Sequence, residues 1–340
     1  MQKKLVRAGV KDRKVLAKIF DRRSRNVVRL NAKRFLPESL VKKAERVEGH
    51  ESLSLEGKLE KTHENHSTDV AILAKKIAEI QSQLYRSFDF RNGGLKIKAK
   101  TSLRKLGFSR AEIKELEGEL RSHTLVHERK TGSDNGEKIE LAKPIPAVTM
   151  DGERVNEILS WWERDSFAIP EHAGYLHDVG KARRGIIELV HGRPFSLGDR
   201  QLMGMHEEAS EKDILKEFKE PDRLRKLFAF AARHHTFTAT LAKHRKFVSL
   251  VQKNGRIREG LHEQAFLARL IHDADSFVAI TQRRGTYMPD MSLRQVLGEV
   301  ISPLRNDYQP ISPLNKFALL TLVRMANTST SQLSYSGKAR

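Results

Sequence analysis

The residues in this chain best able to do chemistry centre on AGYLHDVGKARRG, where His177 and Asp178 sit side by side at the end of an apolar helical stretch, followed by Gly180 and Lys181. An adjacent imidazole and carboxylate can both turn toward a pair of cations, the imidazole holding one and the carboxylate bridging two. Further donors lie far away in the sequence: His66, His206 in LMGMHEEASEKDIL, the tandem His234 and His235 in FAARHHTF, and Asp275 in LARLIHDADSFVAITQRR. Each belongs to a different expected helix and has apolar neighbours expected on the inward face, such as Leu202 and Met205 near His206, Phe228 and Ala231 near His234, and Leu270 and Ile271 near Asp275. Buried together without compensation, such groups would be costly, and a metal removes that cost. The expected centre is therefore a two-metal site of His66, His177, Asp178, His206, His234, His235 and Asp275. Two divalent ions sharing a bridging hydroxide would hydrolyse a phosphate ester.

The elements that must carry these residues read as helices. In EKTHENHSTDVAILAKKIAEI, Val70, Leu73, Ala74, Ile77 and Ile80 recur at helical spacing, with His66 one turn ahead. Further helices are expected around 155–178, 199–218, 221–235, 261–283, 292–302 and 313–326. Alternating Val/Ile/Thr patterns are nearly absent, which favours an all-α bundle. Residues 1–50 carry 16 Lys or Arg against 5 acidic residues and are read as a basic N-terminal extension. Residues 51–326 are read as the catalytic domain, interrupted at about 90–150 by an insertion. There RNGGLKIKAK suggests a loop, Ser109 opens a helix, and KTGSDNGEK forms an exposed turn. Residues 327–340 are polar and aperiodic, and a disordered tail is expected.

Composition narrows the chemistry. The 340 residues include no cysteine, which excludes disulfides, a thiolate nucleophile and cysteine-ligated zinc. With no apolar run of about 18 residues, membrane insertion is not expected, and a cytoplasmic location is. The net charge of +20 suits phosphate-bearing partners, a small-molecule substrate or nucleic acid; no protein partner is specified. His123 and His127 lie four apart without an obvious acidic partner and are read as surface residues. Trp161 and Trp162 are read as packing the insertion against the bundle.

In their order, these residues resemble the HD superfamily of metal-dependent phosphohydrolases, and most of all its HD-GYP group of cyclic di-GMP phosphodiesterases. The resemblance spans roughly His66 to Met325. HSTDVAILAKKIA is similar to the family's first-ligand helix, GYLHDVGK to its name-giving motif, FSLGDRQLMGMHEEASEKDIL to the segment leading to the next histidine, RHHTF to its histidine pair, and LARLIHDADSFVAITQRRGTY to its last-ligand helix. It implies an HD-domain helical bundle that hydrolyses a cyclic dinucleotide, with nucleotides or single-stranded nucleic acid as the alternative. It places Asp275, rather than Asp273, at the ligand position. Asp178 and Lys181 become catalytic, and Lys181, Arg184 and Arg284 substrate-binding. Iron or manganese is the implied metal, and nickel or zinc also suits the donors. The sequence departs from the group in three places: TFTATLAKHRKF follows His235 where a Gly-Tyr-Pro loop belongs, Thr62 replaces the Glu of three-metal members, although Glu64 lies close by, and Val278 replaces a second acidic residue. Two ions are therefore expected.

Overall fold

The computed structural model describes residues 14–49, 51–53, 59–61, 65–134, 137–187, 197–219, 221–282 and 311–336. The chain is mainly helical, as the all-α reading of the sequence expects, and its strands form only two-stranded antiparallel pairs among the described residues. After a helical stretch at 14–19, α1 (Arg22–Phe35) and α2 (Glu38–Glu48) lead through the pair β1 (Glu51–Leu53) and β2 (Leu59–Lys61) to α3 (His66–Arg86). The described part of the basic N-terminal segment, residues 14–49, does not stand off as an arm. Val15, Ile19, Val28, Ala32, Leu40 and Ala44 are buried in the same core as α3, while Arg22, Arg23, Lys33, Arg34, Lys42 and Arg46 lie on the outer faces.

That packing fixes where α3 begins. Its N-cap, Asn65, has a left-handed backbone and no capping side-chain bond of its own. Glu48 from α2 substitutes, its carboxylate accepting from the Thr68 amide at 2.7 Å and so satisfying one of the orphan donors of the first turn. Arg29 from α1 ties the assembly by donating to Asn65 Oδ1 at 2.6 Å and to Glu48 at 3.2 Å. His66 is thereby held at the first position of a helix whose start is braced from outside.

Between 88 and 151 the chain is more structured than the sequence suggests. RNGGL is the turn of a hairpin between β3 (Phe88–Asp89) and β4 (Gly94–Leu95), and α4 (Ile97–Lys105) follows. Ser109 does open α5 (Arg110–Arg121), with a full capping box to Glu112. Then β5 (Ser122–Val126) pairs with β8 (Val148–Asp151), and β6 (Arg129–Asp134) with β7 (Glu137–Ile145). On a strand alternate side chains point inward, so His123 is completely buried against the edge of Phe266, and its Nδ1 lies 3.6 Å from the Glu119 carboxylate. Its reading as an unpartnered surface residue is corrected accordingly.

The stretch read as one helix at 155–178 is two, α6 (Gly152–Arg164) and α7 (Ala168–Leu176), because Ser166 and Phe167 adopt left-handed backbone angles. A 3-10 turn, Val179–Ala182, follows, then α8 (Leu197–Gly204), α9 (His206–Glu217), α10 (Asp222–His234) and α11 (Leu241–Val251). The short pair β9 (Gln252–Lys253) and β10 (Arg256–Ile257) precedes α12 (His262–Thr281). Trp162 is buried, stacks on Phe266 at 5.3 Å between centroids and donates to Glu263 at 2.8 Å; Trp161 lies beneath the Arg223 guanidinium. The helix expected at 292–302 lies outside the described residues. The last helix, α13 (Pro313–Ser336), runs on through residues expected to be disordered. There Thr328 Oγ1 donates back to the Arg324 carbonyl, so polarity alone did not end the helix.

Candidate metal centre

Two glycines let the site assemble. A Cβ on Gly174 in α7 would lie 2.7 Å from the Ala71 Cα, so only glycine allows α7 to approach α3 this closely. A Cβ on Gly180 would stand 2.2 Å from the His206 carbonyl oxygen and 2.5 Å from the Ser210 amide nitrogen, and the Gly180 amide donates to Ser210 Oγ at 2.9 Å. The first contact brings His177 to His66. The second brings Asp178 to His206.

Six side chains converge. His66 Nε2 lies 2.9 Å from Asp275 Oδ1 and 3.7 Å from Asp178 Oδ2. His177 Nε2 lies 3.3 Å from Asp178 Oδ2 and 3.7 Å from Asp275 Oδ1. On the other side, Asp178 Oδ1 is 3.3 Å from His206 Nε2 and 3.5 Å from His235 Nε2, which are themselves 3.3 Å apart. Asp178 thus turns one carboxylate oxygen to each histidine pair. Two sets of three donors, His66 with His177 and Asp275, and His177 with Asp178 and His235, have ligand atoms within 4.8 Å of one another.

The donor chemistry fits divalent cations. Each ring presents Nε2 inward because Nδ1 is engaged behind it. His177 Nδ1 donates to the Gly174 carbonyl at 2.7 Å, His206 to Met203 at 2.5 Å and His235 to Ala232 at 2.8 Å. A carbonyl can only accept, so these bonds fix the tautomer in the manner of ligating histidines. His177 Nε2 and Asp178 Oδ1 are buried and make no hydrogen bond. Orphaned buried groups of this kind are expensive unless something binds them.

The electrostatics agree. Burial would raise the Asp178 carboxyl, but His177 and Lys181 hold it well below the carboxylate range; burial is likewise overridden at Asp275 by His177 and His66. For His177, burial works against the charged form, yet the Asp178 and Asp275 carboxylates lift it to about 10. His206 is pushed down by burial.

His234 does not join the cluster. Its ring packs against Phe230 and Phe247, at 4.6 and 5.7 Å between centroids, and burial lowers it to about 4. The two histidines of the tandem point apart because α10 ends at His234, and only His235 faces inward. Leu202 and Met205, expected on the inward face, are exposed, because α8 ends at Gly204 and α9 starts afresh at His206. Asp275 faces the cluster. Asp273 instead anchors α13, accepting from Arg269, Ser312 and Asn315. Lys181 is buried with Nζ 2.5 Å from Asp178 Oδ2, Arg184 is exposed, and Arg284 lies outside the described residues.

Residues 154–280 match the HD domain family. No curated protein and no solved structure matches the chain. The HD stretch supports a metal-dependent phosphohydrolase that binds divalent metal and acts on a phosphate-containing substrate. It contains five of the converging residues and leaves out the sixth, His66. Among the described residues no helix is long and apolar enough to cross a membrane.

Sequence reasoning missed several supporting groups. Gln282 bonds His66 Nδ1 at 3.1 Å, and buried Glu207 receives Lys243 and Thr236 beside His206. Glu207 adjoins a ligand candidate in the sequence, a usable signal. For Gln282 there was none, since a glutamine carries no charge or spacing pattern.

Proposed function

We propose that this chain is a metal-dependent phosphohydrolase of the HD type whose substrate is a phosphodiester, a cyclic dinucleotide such as cyclic di-GMP being the specific reading. The observation that carries it is the Asp178 carboxylate, with one oxygen turned to His66 and His177 and the other to His206 and His235. His66, His177, Asp275 and Asp178 would hold one divalent ion, and His206, His235 and Asp178 the second, with iron or manganese the reading that the sequence resemblance adds. When bound, such ions supply Lewis-acid polarisation of the phosphoryl group and make a nucleophile available from water at neutral pH. Lys181 donates to Asp178 Oδ2 and so orients its carboxylate, and with Arg184 and Arg284 it would supply positive charge to the substrate phosphates.

The test is metal analysis together with a hydrolysis panel. Purified protein supplied with manganese or iron should carry close to two ions and cleave bis(p-nitrophenyl) phosphate and cyclic di-GMP, and Asp178→Asn should lose both properties. Failure to cleave any phosphodiester with metal bound would overturn the reading.

The +20 charge and the TFTATLAKHRKF segment that follows His235 in place of a Gly-Tyr-Pro loop favour a second substrate class, nucleotides or single-stranded nucleic acid. Metal-dependent cleavage of a single-stranded RNA or DNA oligonucleotide, in preference to cyclic di-GMP, would select it.

A further inference from the structure

His66 is the one converging residue outside the HD stretch, and it is reached by a continuous hydrogen-bond chain that begins on the N-terminal helix. Arg25 of α1 makes a two-pronged pair with Asp69, Nε to Oδ1 at 2.7 Å and Nη2 to Oδ2 at 2.8 Å. Gln282 Nε2 donates to Asp69 Oδ2 at 2.9 Å, and Gln282 Oε1 lies 3.1 Å from His66 Nδ1.

The polarity of this chain is dictated by its first member. A guanidinium only donates, so the Asp69 carboxylate is fixed as an acceptor. Asp69 then takes the amino end of the Gln282 amide, which leaves the carbonyl end toward His66. A carbonyl accepts only, so His66 must carry its hydrogen on Nδ1 and present a bare Nε2 to Asp275 and Asp178. The other three inward-facing histidines use backbone carbonyls for this purpose, whereas the described acceptor at His66 Nδ1 is the side chain of Gln282.

We infer that Gln282, oriented by Arg25 and Asp69, is a positioning residue that sets the tautomer and aim of His66 for metal binding, so that the basic N-terminal helix is part of the metal centre. This rests on reading the cluster as a metal site. A plain tether between α1 and α3 would need Arg25 and Asp69 but would be indifferent to which way the Gln282 amide points.

The test separates these. Manganese binding to the full-length protein is measured by calorimetry, alongside long-range proton–nitrogen NMR of the histidines in the metal-free protein. In the wild type, His66 should carry its hydrogen on Nδ1 and two ions should bind. In Gln282→Leu, one ion should weaken about 10–100-fold while the other stays within about twofold, which is the usual cost of removing a partner behind a ligand. Gln282→Glu places two carboxylates face to face and should weaken the same ion. Adding Asp69→Asn to Gln282→Glu restores donor against acceptor and should recover most of the affinity. The inference is overturned if His66 carries its hydrogen on Nε2, if Gln282→Leu binds both ions as the wild type does, or if the double variant shows no recovery. A wild type that binds no manganese or iron at all overturns the metal reading itself, a result distinct from the other three.

Discussion

A Cβ added to Gly180 would stand 2.2 Å from the carbonyl oxygen of His206, closer than van der Waals contact allows and against backbone that cannot swing aside. Gly180→Ala must therefore push the 3-10 turn and α9 apart, drawing Asp178 from His206. The variant should lose about 1–3 kcal/mol of stability, as overpacked sites do. It should also lose the ion assigned to His206 and His235 ahead of the one assigned to His66 and Asp275. Denaturant unfolding and metal analysis check both parts, and a variant with unchanged metal content would show that the close approach does not position the site.

The tandem histidines should behave as opposites. His235→Phe removes an inward Nε2 and should abolish binding of one ion, with activity falling at least about 100-fold. His234→Phe replaces a ring already packed between Phe230 and Phe247 and should retain both ions and activity within about threefold. Equal losses in the two variants would refute the geometry.

Metal and protons should compete. With His177 lifted to about 10 by Asp178 and Asp275, the ring is protonated at neutral pH in the metal-free protein, and an ion can bind only by displacing that proton. Apparent affinity should rise about tenfold per pH unit between pH 6 and 8. Calorimetry in buffers of different ionisation enthalpy should show about one proton released. Zero release would mean His177 is already neutral.

Acid should destabilise the fold through buried histidines. His172 and His244 are each lowered by burial to about 4 from an ordinary 6.5. A base held neutral in the native state contributes stability that is complete above pH 6.5 and is lost as pH falls toward 4. Glu48, Asp69 and Glu79 are raised by burial and act with the opposite sign over part of the same window. The informative quantity is therefore a difference: His244→Phe should flatten the fall in Tm between pH 6.5 and 4.5, by an amount worth on the order of a few kcal/mol. Parallel Tm curves for the two proteins would rule this out.

How far the sequence could be read depended on whether a property is local. The helix of His66 was legible because its apolar spacing extends over several turns, and the capping box at Ser109 because three residues suffice to specify it. The β5 and β8 pairing was not, since His123 looks polar in any window and its burial depends on partners distant in the chain. The split between His234 and His235 was equally hidden: adjacent residues at a helix end differ by about 100° in direction, and only the neighbours decide which of them faces inward. The break at Ser166 and Phe167 falls on neither glycine nor proline, and the signal available for it was Pro170, in the first turn of the helix that follows.

The donors to the cluster are drawn from α3, the end of α7, α9, the end of α10 and α12, so the order of emergence during synthesis matters. The ion assigned to Asp178, His206 and His235 draws on α7 to α10 alone, whereas the other needs His66, made early, and Asp275, made late. A chain that has emerged only through α10 therefore has every donor assigned to the second ion and lacks Asp275 for the first. A complete pair of cations would then be held only once α12 had joined the helices made before it.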